Sequence, residues 1–306
     1  MKKGRLFMII VPVILALALI AVFAFGFIMA SYSMGIKPQT LEEARKWQED
    51  HYDLSWYDSL QKEDYTVSSF DGYILHVQYL ANPAPSGKYI IISHGYTDNR
   101  FGAMKYARMY LDLGYHVIAY DLRGHGKNEP SFCTYSARES RDLYALIEDS
   151  RSRYPDARVL GLHGESLGAA SSIAVLKYRP EISFVVADCG FSSIDSVLAS
   201  GLKSMHVPEA FLRIASLCAK IRFGYSYADM RPIDSLKENT VPILFIHGAA
   251  DDFIPPVHSE NMQKATKGYS ELRLIPGAAH AMSSLSSPEE YKGYVESFLA
   301  RVLQAR

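Results

Sequence analysis

A serine flanked by glycines is the first feature of this sequence that could do chemistry. Residues 164–168 read Gly-Glu-Ser-Leu-Gly and match the pattern G-x-S-x-G. An apolar run typical of a buried strand, residues 159–163, precedes them, and a segment of helical periodicity follows. A sharp strand-to-helix turn holds a serine hydroxyl exposed, and glycines let neighbouring backbone approach it. The pattern predicts that Ser166 is a nucleophile, with an ordinary glycine-rich turn as the alternative.

A serine hydroxyl is a weak nucleophile, so this hypothesis requires a histidine base and a carboxylate that orients it. Asp251 and Asp252 follow an apolar run at residues 243–246, and His280 follows another at residues 272–275. Open parallel sheets place their ligands beyond the carboxyl ends of the strands, where all these residues would lie. The chain order serine, aspartate, histidine is the one expected for this turn. Either aspartate could orient the histidine.

The elements that must position these residues alternate along the chain. Short apolar runs typical of strands are separated by segments of helical period, which predicts an α/β fold with a mostly parallel sheet and helices on both faces. Asp71-Gly72 marks a hairpin that adds antiparallel strands at one edge. The predicted strands are residues 65–70, 74–80, 89–93, 116–120, 159–163, 184–187, 243–246 and 272–275. The predicted helices are residues 102–113, 137–154, 167–178, 257–267 and 288–302.

One long interval, residues 190–239, interrupts this alternation. It contains helical patches and is rich in apolar and aromatic side chains. We expect it to be an insertion that covers the site. Residues 65–306 then form one domain, preceded by a stalk and a lead-in helix at residues 32–64.

The N-terminal segment, residues 1–31, predicts a membrane anchor. No charged residue occurs from Leu6 to Ala30, and at about 1.5 Å per residue such a helix crosses a hydrocarbon core of about 30 Å. Lys2, Lys3 and Arg5 precede it, which favours a single-pass cell-membrane protein with a cytoplasmic N-terminus and an extracytoplasmic domain. The alternative is a signal peptide cleaved near Ala30, giving a secreted protein.

Composition excludes several partners. The 306 residues carry 32 Lys and Arg against 33 Asp and Glu, so no excess of positive charge is present to bind nucleic acid. No spacing suggests a metal site, and no nucleotide-binding motif follows a strand. Cys133, Cys189 and Cys218 are an odd number without a paired motif, so we expect packing thiols, although one bridge with one cysteine left over stays open.

Five motifs in order resemble those of the alpha/beta-hydrolase superfamily, in its serine aminopeptidase and acylglycerol-lipase-like branch. The resemblance runs from about Tyr65 to the C-terminus. The motifs are His94-Gly95-Tyr96-Thr97-Asp98, Asp121-Leu122-Arg123-Gly124-His125-Gly126, Gly164-Glu165-Ser166-Leu167-Gly168, His247-Gly248-x-x-Asp251-x-x-Ile254-Pro255 and Gly277-x-x-His280.

The resemblance implies an eight-stranded sheet, a lid between the sixth and seventh strands, and no cofactor. It assigns Ser166 as nucleophile, His280 as base and Asp251 as the orienting acid, because in similar chains the acid stands three residues after the His-Gly pair. The oxyanion would be held by the backbone N–H groups of Leu167, which opens the predicted helix, and of Tyr96.

These observations together predict a serine hydrolase that cleaves a small carboxylic ester through an acyl-enzyme. The same fold and triad host aminopeptidases, thioesterases and acyltransferases, so an acyl amide or thioester substrate is the alternative. A non-catalytic surface binding module is a further alternative, against which the complete set of triad residues argues.

Overall fold

The computed structural model describes residues 2–84 and 86–304, and it divides them into two compact units. We call the N-terminal helix through Gly35 together with Ile194–Met230 the anchor–insertion unit. Ile36–Ser193 together with the chain from Arg231 onward is the sheet unit. The insertion is therefore narrower than the expected residues 190–239.

The sheet unit is built on eight strands in the order β1-β2-β4-β3-β5-β6-β7-β8. Only β2 runs against its neighbours, since it pairs antiparallel with both β1 and β4 while the remaining pairs are parallel. The expected hairpin is present, and Ser68 pairs with Ile74 across its turn. The strands are β1 (Lys62–Ser68), β2 (Ile74–Leu80), β3 (Lys88–Ser93), β4 (His116–Tyr120), β5 (Val159–Glu165), β6 (Phe184–Asp188), β7 (Ile243–Gly248) and β8 (Ser270–Ile275).

Helices occupy the intervals between strands, as the apolar periodicity predicts. The predicted helix at residues 167–178 is an α-helix followed by a 3-10 turn at Val175–Tyr178. The α-helices are α1 (Lys2–Met34), α2 (Leu41–His51), α3 (Ser55–Ser59), α4 (Met104–Asp112), α5 (Glu139–Arg153), α6 (Leu167–Ala174), α7 (Ile194–Ser204), α8 (Ala210–Phe223), α9 (Val257–Ala265), α10 (Ser283–Ser286) and α11 (Pro288–Gln304).

Both faces of the sheet are buried. In β3, Ile90 and Ile92 point to one face and join a core cluster with Tyr106 of α4 and Phe298 of α11. Ile91 points to the opposite face and is equally inaccessible to solvent. A strand that is buried on both faces has a continuous run of apolar residues, and this run is why β3 could be predicted from the sequence.

The segment expected to be a stalk with a lead-in helix is ordered within the sheet unit. Thr40 and Glu43 form a reciprocal capping box that starts α2. The short helix α3 follows and buries Trp56 and Tyr57 in the same core cluster as β3. Residues 36–64 therefore extend the core of the sheet unit.

In the anchor–insertion unit, α1 packs against α8. The two helices meet at Gly26, where an added Cβ would lie 2.8 Å from both Ile214 Cγ2 and Cys218 Sγ. Phe25 and Phe211 form an edge-to-face ring contact at 5.2 Å. Glycine at the crossing allows this close approach between two helices.

All three cysteines are free and buried, so the open possibility of a disulfide is not realised. Cys133 and Cys189 belong to the sheet unit, and Cys218 faces α1 within the anchor–insertion unit. They pack as small apolar side chains, as expected.

Candidate active site

Ser166 occupies a strained turn between β5 and α6. Its backbone adopts φ 51° and ψ −109°, a conformation that side chains other than glycine rarely adopt. A Cβ at Gly164 would lie 2.3 Å from the carbonyl oxygen of Gly168, and one at Gly168 would lie 2.1 Å from that of Ser93. Glycine is therefore required at both ends of the turn for steric reasons, as the motif predicted.

The structure brings His280 and Asp251 to this serine. His280 Nε2 lies 2.9 Å from Ser166 Oγ, and His280 Nδ1 lies 2.7 Å from Asp251 Oδ2. The hydroxyl of Ser166 can donate to Nε2 while Nδ1–H donates to the carboxylate. The three residues follow β5, β7 and β8, so the carboxyl ends of three parallel strands converge on one chain of hydrogen bonds.

Asp251, and not Asp252, forms this hydrogen bond. The second oxygen of Asp251 accepts from the backbone N–H groups of Phe253 and Ile254, at 3.1 and 2.8 Å, and the residue is 3% exposed. Asp252 is exposed to solvent. The sequence left either aspartate possible. The structure distinguishes them, because of the two only Asp251 forms a hydrogen bond with His280.

A second histidine holds Asp251 in place. His247 Nε2 lies 2.7 Å from the carbonyl oxygen of Ile254 and 3.2 Å from Asp251 Oδ2, so a proton on Nε2 serves both acceptors. Its Nδ1 pairs with the Ser259 hydroxyl at 2.7 Å. Burial alone would raise the pKa of Asp251, but hydrogen bonds from His247 and His280 lower it well below its ordinary value. The carboxylate therefore stays ionised.

Two backbone segments adjoin Ser166 as candidate oxyanion donors. The N–H of Leu167 belongs to the first turn of α6, where backbone donors have no partner within the helix. The loop after β3 also approaches the serine, because a Cβ at Gly95 would lie 3.8 Å from Ser166 Cβ. Tyr96 follows Gly95 in that loop.

The structure adds a buried cation that the sequence analysis missed. Lys105 of α4 forms an ion pair with Glu165, the residue before Ser166, and their side chains are only 4% and 6% exposed. The Tyr106 hydroxyl also donates to Glu165, at 2.5 Å, and to Asp188, at 3.0 Å. Burial opposes the charge on Lys105, but Glu165 raises the pKa of Lys105 above its ordinary value. A single lysine in an amphipathic helix gave no signal for this role.

The other histidines near the strand ends have local partners. His94 accepts from the N–H of Leu122 at 2.9 Å, and His163 lies 3.0 Å from the Tyr110 hydroxyl. Burial lowers the pKa of His163 to about 3, which keeps its ring neutral. His258 pairs with the Ser192 hydroxyl at 2.8 Å. These contacts give each of the three histidines a local structural role.

The residues of the Asp121–Gly126 motif form ion pairs that fix the loops. Arg123 pairs with Asp142 at 2.6 Å and with Asp71 at 2.9 Å, and Asp121 pairs with Arg100 at 2.8 Å. The charged side chains of this motif therefore have a structural role, since their ion pairs hold the loops together.

One exposed aromatic ring lies beside His280, and a row of three rings begins in the loop that approaches Ser166. The Phe253 ring, 65% exposed, contacts His280 edge-to-face with a centroid distance of 5.1 Å. Tyr96, Tyr135 and Phe191 form a row with successive centroid distances of 6.1 and 6.3 Å. Among residues 2–84 and 86–304, no group of three His, Cys, Asp or Glu side chains is placed to hold a metal ion.

Known proteins resemble this chain in sequence and in fold. Residues 84–220 match the family described as serine aminopeptidase, S33. The uncharacterized protein YqkD of Bacillus subtilis is 30% identical, over 91% of this chain and 93% of its own length. Esterase Pf2001 of Pyrococcus furiosus superposes with a TM-score of 0.69 at 25% identity, covering 88% of this chain and 98% of the esterase.

A second solved structure supports the fold. An esterase from Exiguobacterium antarcticum has a TM-score of 0.57 at 18% identity. The superposition covers 78% of this chain and 100% of the esterase. The eight-stranded, mostly parallel sheet and the family motifs agree with these likenesses. The chain belongs to the alpha/beta-hydrolase superfamily, and its chemistry is hydrolytic.

Proposed function

We propose that the protein is a serine hydrolase that cleaves a carboxylic ester through an acyl-enzyme intermediate. The observation that carries this proposal is the continuous hydrogen-bonded chain from Ser166 through His280 to Asp251. The strained backbone of Ser166 supports it, since such strain is maintained at functional sites by the surrounding structure. The likeness to the Pyrococcus furiosus esterase supports an ester over an amide.

In the proposed reaction, His280 Nε2 accepts the proton of Ser166 as Oγ attacks the ester carbonyl. Asp251 stabilises the resulting imidazolium and fixes its orientation. The N–H groups of Leu167 and Tyr96 would stabilise the oxyanion, and each such donor contributes about 10²–10³-fold to the rate. His280 then protonates the leaving alcohol. Water, activated by the same histidine, hydrolyses the acyl-enzyme.

The aromatic rings near the site support an apolar acyl group. Phe253 presents an exposed ring beside His280, and the row of Tyr96, Tyr135 and Phe191 begins in the loop that approaches Ser166. Apolar and aromatic side chains with a few polar groups are typical of small-molecule sites. We therefore propose an ester with an aliphatic or aromatic acyl part.

Labelling with a fluorophosphonate probe tests the nucleophile, because the probe reacts rapidly only with an activated serine. We expect labelling of the wild type and of Ser297→Ala, an exposed serine of α11, and no labelling of Ser166→Ala. Labelling that persists in Ser166→Ala would overturn the proposal. Absence of labelling in a folded wild type would favour a binding module.

A substrate panel then separates the reaction classes that the fold can host. We expect short- and medium-chain esters to be hydrolysed with higher kcat/KM than the matching thioesters and aminoacyl amides. A higher kcat/KM for an aminoacyl amide would replace the esterase by an aminopeptidase that uses the same three residues.

We further propose that α1 is an uncleaved membrane anchor, with a cytoplasmic N-terminus and an extracytoplasmic sheet unit. Residues Phe7–Met34 are long and apolar enough to cross a membrane, and a signal sequence would pass the same test. Packing favours the anchor, because Gly26, Ala30 and Met34 are buried on one side of α1. Ser33 Oγ also lies 2.6 Å from the Tyr227 hydroxyl.

Cleavage after Ala30 would remove the surface against which α8 packs. Mass spectrometry of the mature protein from membrane fractions is therefore decisive. We expect the N-terminal peptide, starting at Met1 or Lys2, to remain attached. A mature N-terminus at Ser31 would favour the secreted alternative.

A further inference from the structure

Helix α8 carries an apolar face that no other part of the anchor–insertion unit covers. Leu217 and Ile221 are 49% and 61% exposed and stand one helical turn apart. Arg213 and Lys220 lie on the same side of the helix and are also exposed. Two large apolar side chains bordered by cations are typical of a helix that lies in the interface of a membrane.

The depth at which α8 meets α1 indicates what covers this face. From Phe7 to Gly26, α1 has about 20 residues, which at 1.5 Å each span about 30 Å, the thickness of a hydrocarbon core. Ile214 and Cys218 of α8 pack directly on α1 at Gly26. A bilayer that begins at Phe7 therefore ends at the level of α8.

Polar contacts occur on the C-terminal side of Gly26, as the headgroup region requires. Arg222 of α8 donates to the Ser31 hydroxyl at 2.6 Å. Tyr32, on the open side of α1, is 81% exposed, and tyrosine is enriched at membrane interfaces. The hydroxyl side chains of α1 that form hydrogen bonds across the unit, Ser31 and Ser33, both lie beyond Gly26.

We infer that α8 lies in the outer interface of the bilayer that α1 crosses, with Leu217 and Ile221 inserted among the acyl chains and Arg213 and Lys220 at anionic lipid phosphates. This inference rests on the proposed anchoring of α1. The occupant of the exposed face is the phospholipid surface itself, because α8 packs directly on the apolar helix α1 and the charge that flanks the face is positive.

The charge of Lys220 is partly balanced within the protein. Asp229 lies 3.2 Å from its ammonium, and both side chains are about half exposed. Arg213 forms no ion pair with any residue that the structure describes, and it supplies the stronger attraction to anionic lipid. Juxtamembrane cations contribute to membrane binding in this way, and the attraction weakens with salt.

Depth-dependent quenching tests the inference on the full-length protein. Single cysteines at Leu217, Ile221, Ile14 and Lys264 carry an environment-sensitive fluorophore, and the wild type, whose own cysteines are buried, gives the background. Ile14 lies in the middle of α1 and is 57% exposed. Lys264 lies on an exposed face of α9, 3.8 Å from Glu260. The variants are reconstituted in phosphatidylcholine with about a quarter phosphatidylglycerol, brominated either near the headgroup or near the chain end.

We expect the probes at positions 217 and 221 to be quenched at least about twofold by shallow bromines and less by deep ones. The probe at position 14 should show the reverse order, and the probe at position 264 should not be quenched. Arg213→Gln with Lys220→Gln should reduce quenching at position 221, and so should high salt in the parent.

The failures are distinguishable. If the probe at position 14 is quenched while those at positions 217 and 221 behave like position 264, the inference about α8 is wrong and the anchor stands. If the probe at position 14 is not quenched, α1 does not span the membrane and both proposals fail. Crosslinking between copies at position 217 without lipid quenching would replace the lipid by a second protein chain and overturn the inference.

Discussion

Lys105 and Glu165 form a buried ion pair one residue before the candidate nucleophile, Ser166. The pair joins α4 to the end of β5, and Lys105 also lies 5.7 Å from the centre of the Trp47 ring. Glu165 occupies the variable position of the serine motif. Its carboxylate has a specific partner, so this position contributes to the placement of the turn.

Replacing Lys105 should therefore destabilise the fold. Lys105→Met leaves the Glu165 carboxylate buried without its cation, which costs about 3–5 kcal/mol. Lys105→Met combined with Glu165→Gln should cost less than the single lysine change, because no unpaired charge remains. Urea denaturation of the wild type, Lys105→Met, Glu165→Gln and the double variant measures this coupling. Equal losses in the single and double variants would show that the charge of Glu165 is not the cause.

The two neighbouring aspartates should differ in their effect on turnover. Asp251→Asn removes the acceptor that orients His280 and should lower kcat by about 10³–10⁴-fold. Asp252→Asn, at an exposed position, is the matched control and should change kcat by less than about twofold. Steady-state hydrolysis of an activated ester measures both. A large loss in Asp252→Asn with an active Asp251→Asn would reverse the assignment.

The acid side of the pH–rate profile should reflect a histidine. A histidine base must be neutral to accept a proton, so kcat/KM should rise with pH on the acid side of the profile, above about pH 5. Hydrogen bonds offset the effect of burial and keep the pKa of Asp251 low, so its protonation should add no second step in that range. A flat profile from pH 5 to 9 would contradict a histidine base.

The glycines of the turn should not tolerate a methyl group. In Gly168→Ala the new Cβ would lie 2.1 Å from the Ser93 carbonyl oxygen, which forces β3 and α6 apart. The free energy of unfolding should fall by about 2–3 kcal/mol, and activity should fall as well. Gly293→Ala in α11 is the matched control, since nothing lies within 4 Å of that Cβ. It should be neutral or stabilising by about 0.5–1 kcal/mol. Thermal melts compare the two variants, and equal Tm values would refute the steric argument.

Asp188 should make stability depend on pH. Burial and the nearby charge of Glu165 raise the pKa of this fully buried carboxyl to about 6. The folded protein then keeps a proton that the unfolded chain releases near pH 4, so unfolding free energy falls as pH rises from about 4 to 6. Asp188→Asn should therefore gain stability over the wild type across this window, by about 3 kcal/mol at most. Denaturation at several pH values measures the difference, and a constant difference would contradict the raised pKa.

Sequence could place Ser166 and His280 because each stands directly after a buried strand, and strand ends converge in a parallel sheet. It could not separate Asp251 from Asp252, since a shift of one residue in a loop leaves the pattern unchanged. Only the hydrogen bond to His280 separates them. Lys105 was missed for a different reason, because its partner lies 60 residues later and no local pattern connects them.

The sheet was predictable to within a few residues at each strand, because its central strands, such as β3, β4 and β7, are buried on both faces. The pairing of α1 with α8 was not. Both helices are apolar, their contact residues are nearly 190 positions apart, and neither sequence specifies its partner. The sequence predicted an anchor and an insertion as separate features, whereas the structure groups them in one compact unit.

The separation of α1 and α8 along the chain has a consequence for biosynthesis. The ribosome completes α1 first, while α8 emerges only after the six α-helices α2 to α7 and the six strands β1 to β6 have been made. Until then the side of α1 around Gly26 has no protein partner. An anchored chain must therefore hold α1 stably in the lipid as a single helix, and its final docking partner arrives late in synthesis, as in two-stage assembly of membrane helices.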